Sequence, residues 1–217
     1  MDHRKQSLLL KTEALVKEHL SSEASGHDWW HVVRVRHTAK EIAIREGADS
    51  FICQMAALLH DMIDDKLQAD PELAKQQLHD WMLTIGLSLD ETNQIETIID
   101  TISFKGGHGS ELTSLEAKVV QDADRLDALG AIGIARCMAY SGHKGRLIHD
   151  PNRLPRKQMS FEDYRNGKDT AIMHFYEKLL KLKDLMTTDY GKEMDQKRHD
   201  FLITYLEEFY AEWEGKR

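Results

Sequence analysis

The chain has little of what usually constrains a fold from outside its core. Two cysteines, Cys53 and Cys137, occur in 217 residues, far apart and in no CxxC pair. That excludes a disulfide scaffold and leaves two buried, reduced thiols as the expectation. Only three prolines are present, Pro151 and Pro155 close together, so most of the chain is open to long helices. No apolar run is long enough to span a bilayer, so no membrane partner is expected. The stretch MDHRKQSLLLKTEALVKEHL is interrupted by charges and lacks a small-residue cleavage site. It does not read as a secretory signal, and a cytoplasmic protein is expected. A basic surplus is missing too. The net charge of -8 argues against a nucleic-acid polymer as partner, while leaving room for a locally basic pocket. No strand-like alternation, internal repeat or low-complexity tract is found.

What is present is helical periodicity in a globular composition, 41% hydrophobic and 30% charged. The length suits one domain with a sizeable core. Residues 6 to 21 form a first amphipathic helix. A second is predicted from about Asp28 to Glu46, stopped by Gly47, with Val32, Val33, Val35, Ala39, Ile42 and Ala43 facing inward. A third, about Asp49 to Ile63, is apolar almost all round and therefore central. Pro71 opens a helix ending near Gly86. Ser88 with Glu91, and Thr113 with Glu116, have the spacing of capping boxes for the next two. A long helical segment is expected from Asp124 to about Tyr140. Two long amphipathic helices close the chain, one with Ile172, Phe175, Tyr176, Leu179, Leu182 and Met186, the other with Phe201, Leu202, Tyr205, Leu206, Phe209 and Trp213. The irregular stretches are residues 104 to 112 and 141 to about 163. Within the second, residues 144 to 157 hold Lys144, Arg146, Arg153, Arg156 and Lys157 against one acid, Asp150. That charge anomaly reads either as a solvated loop or as a lid over a phosphorylated substrate.

The chemistry concentrates in chelating side chains on these helices: His31, the adjacent His60 and Asp61, and Asp124, an H…HD…D order. Imidazole with carboxylate suits a catalytic divalent ion with open positions better than a closed structural one. His60 and Asp61 end the most apolar helix, where polar groups are costly unless paired or metal-bound. Asp64 lies four residues after His60, and Asp65 four after Asp61. If the helix runs one more turn, both acids project beside the ion. Arg34 shares the face of His31. Lys66 directly follows the acid pair, and Lys105 opens the glycine-rich stretch FKGGHGS, which lacks the GK[ST] ending of a phosphate-binding P-loop. Trp29 and Trp30 adjoin the first chelator, placed either to stack on a base or to serve as core or pocket wall.

The stretches HDWWHVVRV, AALLHDMIDDK and QDADRLDALGAIG, in that order, resemble the HD superfamily of metal-dependent phosphohydrolases. The segment TAIMHFYEKLLKLKDLMTT is similar to a bacterial branch of small HD proteins that act on nucleotides. The resemblance implies an all-α fold, a helical bundle with a roughly five-helix core plus extra C-terminal helices. A single HD-type domain over 1–217 follows, with its metal-binding core at about 26–136, the basic loop at about 141–163 and the C-terminal helices at about 168–214. It implies His31, His60, Asp61 and Asp124 as metal ligands. Asp127 is the rival for the last position, and Asp122 and Asp127 are candidates to hydrogen-bond around the ligands. Asp64 and Asp65 match the acidic pair that assists a water nucleophile in the guanosine-tetraphosphate hydrolase branch. Here the pair is Asp-Asp in place of Glu-Asp, and Asp65 is favoured. Arg34, Lys66, Lys105 and Arg125 are the candidate phosphate-binding cations, and His174 and Lys178 are placed near the pocket by the resemblance alone.

The expectation is a phosphohydrolase with one divalent ion: manganese favoured among manganese, magnesium, nickel, cobalt and iron. Its substrate is expected to be a small phosphorylated metabolite, a nucleotide first, with pyrophosphate release from a triphosphate preferred. Two other readings stand beside it, a nucleoside monophosphate phosphatase and a metal-bound nucleotide-binding or signalling module. A cyclic-dinucleotide phosphodiesterase is disfavoured: only His79 and His108 lie between the His60-Asp61 pair and the last aspartate, and no GYP element is present. The assembly is expected to be a monomer or homodimer.

Overall fold

Local side-chain chemistry accounts for where most of the helices start and stop. The computed structural model describes residues 2–20, 28–63, 70–102, 112–156 and 169–217. Its helices are α1 (His3–Leu20), α2 (Trp29–Glu46), α3 (Ser50–Leu59), α4 (Pro71–Ile85), α5 (Leu89–Ile102), α6 (Leu115–Asp127), α7 (Gly130–His143), α8 (Ala171–Glu177) and α9 (Asp189–Trp213), with a 3₁₀ helix, η1 (Leu179–Leu185), between the last two. No strand occurs among the described residues, and the fold is all-α as expected. The chain divides into two compact units, residues 1–124 and 125–217, with the boundary inside α6.

In the first unit every residue of α3 except Ser50 is buried, and the helix packs against α1, α2 and α5. The Asp49 carboxylate caps it, accepting the N–H groups of Phe51 and Ile52. Helix α2 begins at the Asp28 cap and stops at Gly47, which takes the left-handed conformation (φ 75°) that glycine adopts without strain. The box at Ser88 forms in both directions: Ser88 N–H donates to Glu91 at 2.8 Å, and Glu91 N–H donates to Ser88 Oγ at 3.2 Å. Glu91 also binds Arg4 of α1, whose Nη2 lies 2.6 Å from its carboxylate. The expected box at Thr113 does not form. Ser114 caps Ala117 instead, and Glu116 accepts the N–H of Asp49 at 3.0 Å.

In the second unit α9 packs on α7 and η1, and α8 on α7 and η1. Two expected long helices are broken. The segment Asp124 to Tyr140 divides between α6 and α7, because Gly130 turns left-handed at φ 65°. The segment from Ile172 to Met186 changes at Lys178 from α to 3₁₀. Its buried Leu179 and Leu182 are three apart, the period of a 3₁₀ turn. Both cysteines are buried and free. Burial pushes the Cys53 thiol far above its ordinary range and the Cys137 thiol up to about 11.

Candidate metal centre

The first candidate ligand, His31, is placed by the start of α2. Asp28 accepts the backbone N–H of His31 at 2.8 Å, which fixes the first turn, and the His31 side chain is fully buried. The next two come from the end of α3. That helix stops at Leu59, earlier than the expected Ile63; His60 is its C-cap, and Met62 N–H closes a turn onto the Leu59 carbonyl at 3.0 Å. Asp124, on α6, completes the group.

His31 Nε2 lies 3.3 Å from His60 Nε2, 3.4 Å from Asp124 and 3.6 Å from Asp61. His60 Nε2 lies 3.4 Å from Asp61 and 3.9 Å from Asp124. Donor atoms of His31, His60 and Asp124 all fall within 4.8 Å of one another, and Asp61 borders them with one oxygen toward each imidazole. A third contact orients the ring. His60 Nδ1 is 2.8 Å from the Ala57 carbonyl, which can only accept, so Nδ1 carries a proton and Nε2 is the ring atom turned to the cluster. Imidazole nitrogens and carboxylate oxygens converging on one point suit a cation between them. The donor set therefore fits a divalent ion, and its mixture of nitrogen and oxygen admits most first-row metals and magnesium.

The other sequence candidates fare differently. Asp64, Asp65, Lys66, Lys105, His108 and Lys157 lie outside the described residues. Arg34 is half-buried on α2, one turn beyond His31. Arg125 donates to the carbonyl of Leu185. Asp122 is fully buried. Asp127 is not part of the donor group; it is 4% exposed and accepts Arg136 Nη1 at 2.8 Å. Trp29 is half-buried, and Trp30 is 65% exposed, so Trp30 is no core residue. The buried face of α2 runs through His31, Val32 and Val35, and Trp30 falls outside it.

The described part of the basic segment, residues 144–156, is anchored. Arg146 pairs with Asp169 at 3.3 Å, Arg153 with Asp150 at 3.0 Å, and Arg156 with Glu177 at 2.8 Å. The Arg156 backbone N–H also donates to Glu177 at 2.8 Å. Burial works against the Glu177 carboxylate, and the hydrogen bonds from Arg156 overcome it, holding its pKa below the ordinary value. The carbonyls of Leu147 and Ile148 accept the N–H groups of Ala171 and Ile172, both at 3.0 Å. His149 sits edge-on to Phe209, Tyr210 and Trp213, with ring centroids 4.9 to 5.8 Å away. The excess charge looked unbalanced because Asp169 and Glu177 lie beyond the segment. Burial first, then the fields of Lys178 and Arg146, push His174 down to about 3, so its imidazole is neutral at physiological pH. Ala57, Arg136 and Arg198 carried no sequence signal, since their roles arise from a backbone carbonyl and from contacts between helices.

The HD domain model matches residues 29–129. YpgQ of Bacillus subtilis is 38% identical over 208 residues, covering 95% of this chain and 93% of YpgQ. A solved Lactobacillus plantarum protein superposes with a TM-score of 0.83 at 42% identity, covering 96% of this chain and 98% of its own. A Bacillus thuringiensis HD-superfamily hydrolase does so with a TM-score of 0.79 at 42% identity, with 97% and 98% covered. The structure of YpgQ in complex with ADP matches with a TM-score of 0.76 at 35% identity over 94% and 97%. These likenesses run over nearly the full length of each protein, and the chain belongs to the HD-domain family.

Proposed function

We propose that this protein is a divalent-metal-dependent phosphohydrolase acting on a small phosphorylated metabolite, a nucleotide first, with pyrophosphate release from a nucleoside triphosphate as the favoured reaction. The observation that carries the reading is the 3.3 Å approach of His31 Nε2 to His60 Nε2 beside Asp124 and Asp61. Two buried imidazoles and two acids at such separations serve a cation better than they serve the fold alone. The nucleotide is supported by the relative YpgQ, which has been solved with ADP.

In this reading His31, His60, Asp61 and Asp124 hold the ion, with manganese favoured. When bound, the ion supplies Lewis-acid polarisation of a phosphoryl oxygen and lowers the pKa of a water. Asp65, or Asp64, orients the attacking water and takes its proton. Arg34, Lys66, Lys105 and Arg125 neutralise the phosphate chain as the P–O bond lengthens. The Ala57 carbonyl keeps the His60 ring turned with Nε2 pointing inward.

The test is a release assay over nucleoside mono-, di- and triphosphates with manganese, magnesium, nickel, cobalt and iron. Pyrophosphate from a triphosphate is the expected result. Phosphate from a monophosphate reassigns the bond, and no release with any ion while nucleotide still binds leaves a metal-bound binding module.

A further inference from the structure

Of the donors in the metal cluster, Asp124 is the most exposed. Its side chain is 37% exposed, whereas those of His31, His60 and Asp61 are 0%, 6% and 5% exposed. The α6 backbone that carries it contributes to its direction. Asp124 lies only three residues before that helix ends, in a turn that would ordinarily fray.

The end of α6 is built against fraying at some expense. Asp127, its last residue, puts a carboxylate at the negative end of the helix dipole and buries it, two unfavourable placements for an unpaired anion. Arg136 of α7 answers it at 2.8 Å. Arg198 of α9 donates to the Leu126 carbonyl, one of the last acceptors of α6. Burial lowers the Arg198 pKa, and Asp127 and Asp195 oppose that effect, so the guanidinium is held among acids. Two glycines make the close approach possible. A Cβ at Gly130 would meet the Arg198 side chain at 3.2 Å, and one at Gly133 would meet the Ala128 carbonyl oxygen at 2.2 Å.

We propose that Asp127, Arg136 and Arg198 are positioning residues that clamp the last turn of α6 and so aim Asp124 at the metal. This rests on the metal-site reading above. Asp124 and Asp127 are three apart on one helix, so a rotation or fraying that releases one carboxylate displaces the other. The ion pair is thereby given a role that burial alone does not explain, since buried pairs contribute little net stability relative to apolar residues of similar volume.

The test uses full-length protein freed of metal, titrated with Mn²⁺ in competition with a chelating dye, with melting measured separately in EDTA. Wild type is expected to bind one ion. Asp127→Ala and Arg136→Gln are expected to weaken Mn²⁺ binding about 10- to 100-fold, the range typical of residues that orient ligands. Arg136→Lys is expected to recover most of that loss, and excess Mn²⁺ to restore turnover in Arg136→Gln. If the single variants do not fold, Asp127→Leu with Arg136→Met keeps the burial without the charges, and the same weakening is expected. Wild-type Mn²⁺ affinity in a folded variant, with only the EDTA melting temperature lowered, overturns the clamp. No Mn²⁺ binding by wild type itself overturns the metal site and the clamp with it.

Discussion

The carboxylate of Asp28 accepts the backbone N–H of His31 at 2.8 Å, so the residue that begins α2 also seats the first candidate ligand. Loss of the cap frees the turn on which His31 rides. Asp28→Ala is expected to cost about 1 kcal/mol, a fall of roughly 2–4 °C in melting temperature for a chain of this size, with Asp28→Ser restoring most of it. Thermal melts of the metal-free variants check this; an unchanged Asp28→Ala melt refutes it.

His60→Ala and Asp61→Ala are each expected to abolish metal content and activity together. Elemental analysis of the purified variants beside an activity assay decides it. Full metal occupancy in either variant removes that residue from the ligand set.

Asp65→Asn is expected to keep its metal and lose turnover, because the amide cannot take a proton from water. A drop of about 10²- to 10⁴-fold in kcat is the scale of a lost general base. Wild-type rates in this variant pass the role to Asp64 or to neither residue.

Acid should weaken the link between α1 and α5. The Arg4 guanidinium holds the Glu91 carboxyl down at about 2 from an ordinary 4.5, with further hydrogen bonds from Ser88. A carboxyl depressed in the folded state contributes stability that is fully present above 4.5 and lost as the pH falls toward 2. Glu91→Gln is therefore expected to melt below wild type at pH 7, with the two curves converging between pH 4.5 and 2. Parallel curves across that window contradict the assignment.

Two glycines of α7 should respond in opposite directions to the same change. Gly133→Ala drives a methyl against the Ala128 carbonyl and is expected to cost about 1–3 kcal/mol. Gly142 has nothing within 4 Å of its added Cβ, and Gly142→Ala is expected to be neutral or to stabilise by up to about 1 kcal/mol. Chemical denaturation of the two variants separates them.

What the sequence made legible was local or periodic. Asp28 and Gly47 bracket α2 because a cap and a left-handed stop act on their nearest neighbours. The even apolar coating of α3 marked it as central, and the H…HD…D order directed attention to four side chains that the fold gathers. What stayed hidden depends on partners distant in the chain. Gly130 and Gly133 look like tolerated helix glycines until Arg198 and the Ala128 carbonyl are seen against them. The cations of residues 144–156 look unbalanced until Asp169 and Glu177 arrive. The early end of α3 at Leu59 has no breaker in its sequence; His60 turns its Nδ1 back to the Ala57 carbonyl there, a satisfaction no spacing rule announces.

The two sequestered thiols bear on how this molecule can be observed. Alkylating reagents attack the thiolate, and with Cys53 and Cys137 buried and their pKa values raised, neither presents one at neutral pH. The native chain is therefore expected to react slowly with maleimides. A cysteine introduced at an exposed position such as Lys40, on the same helix as His31, offers an attachment point for a fluorophore without removing a native residue from the core.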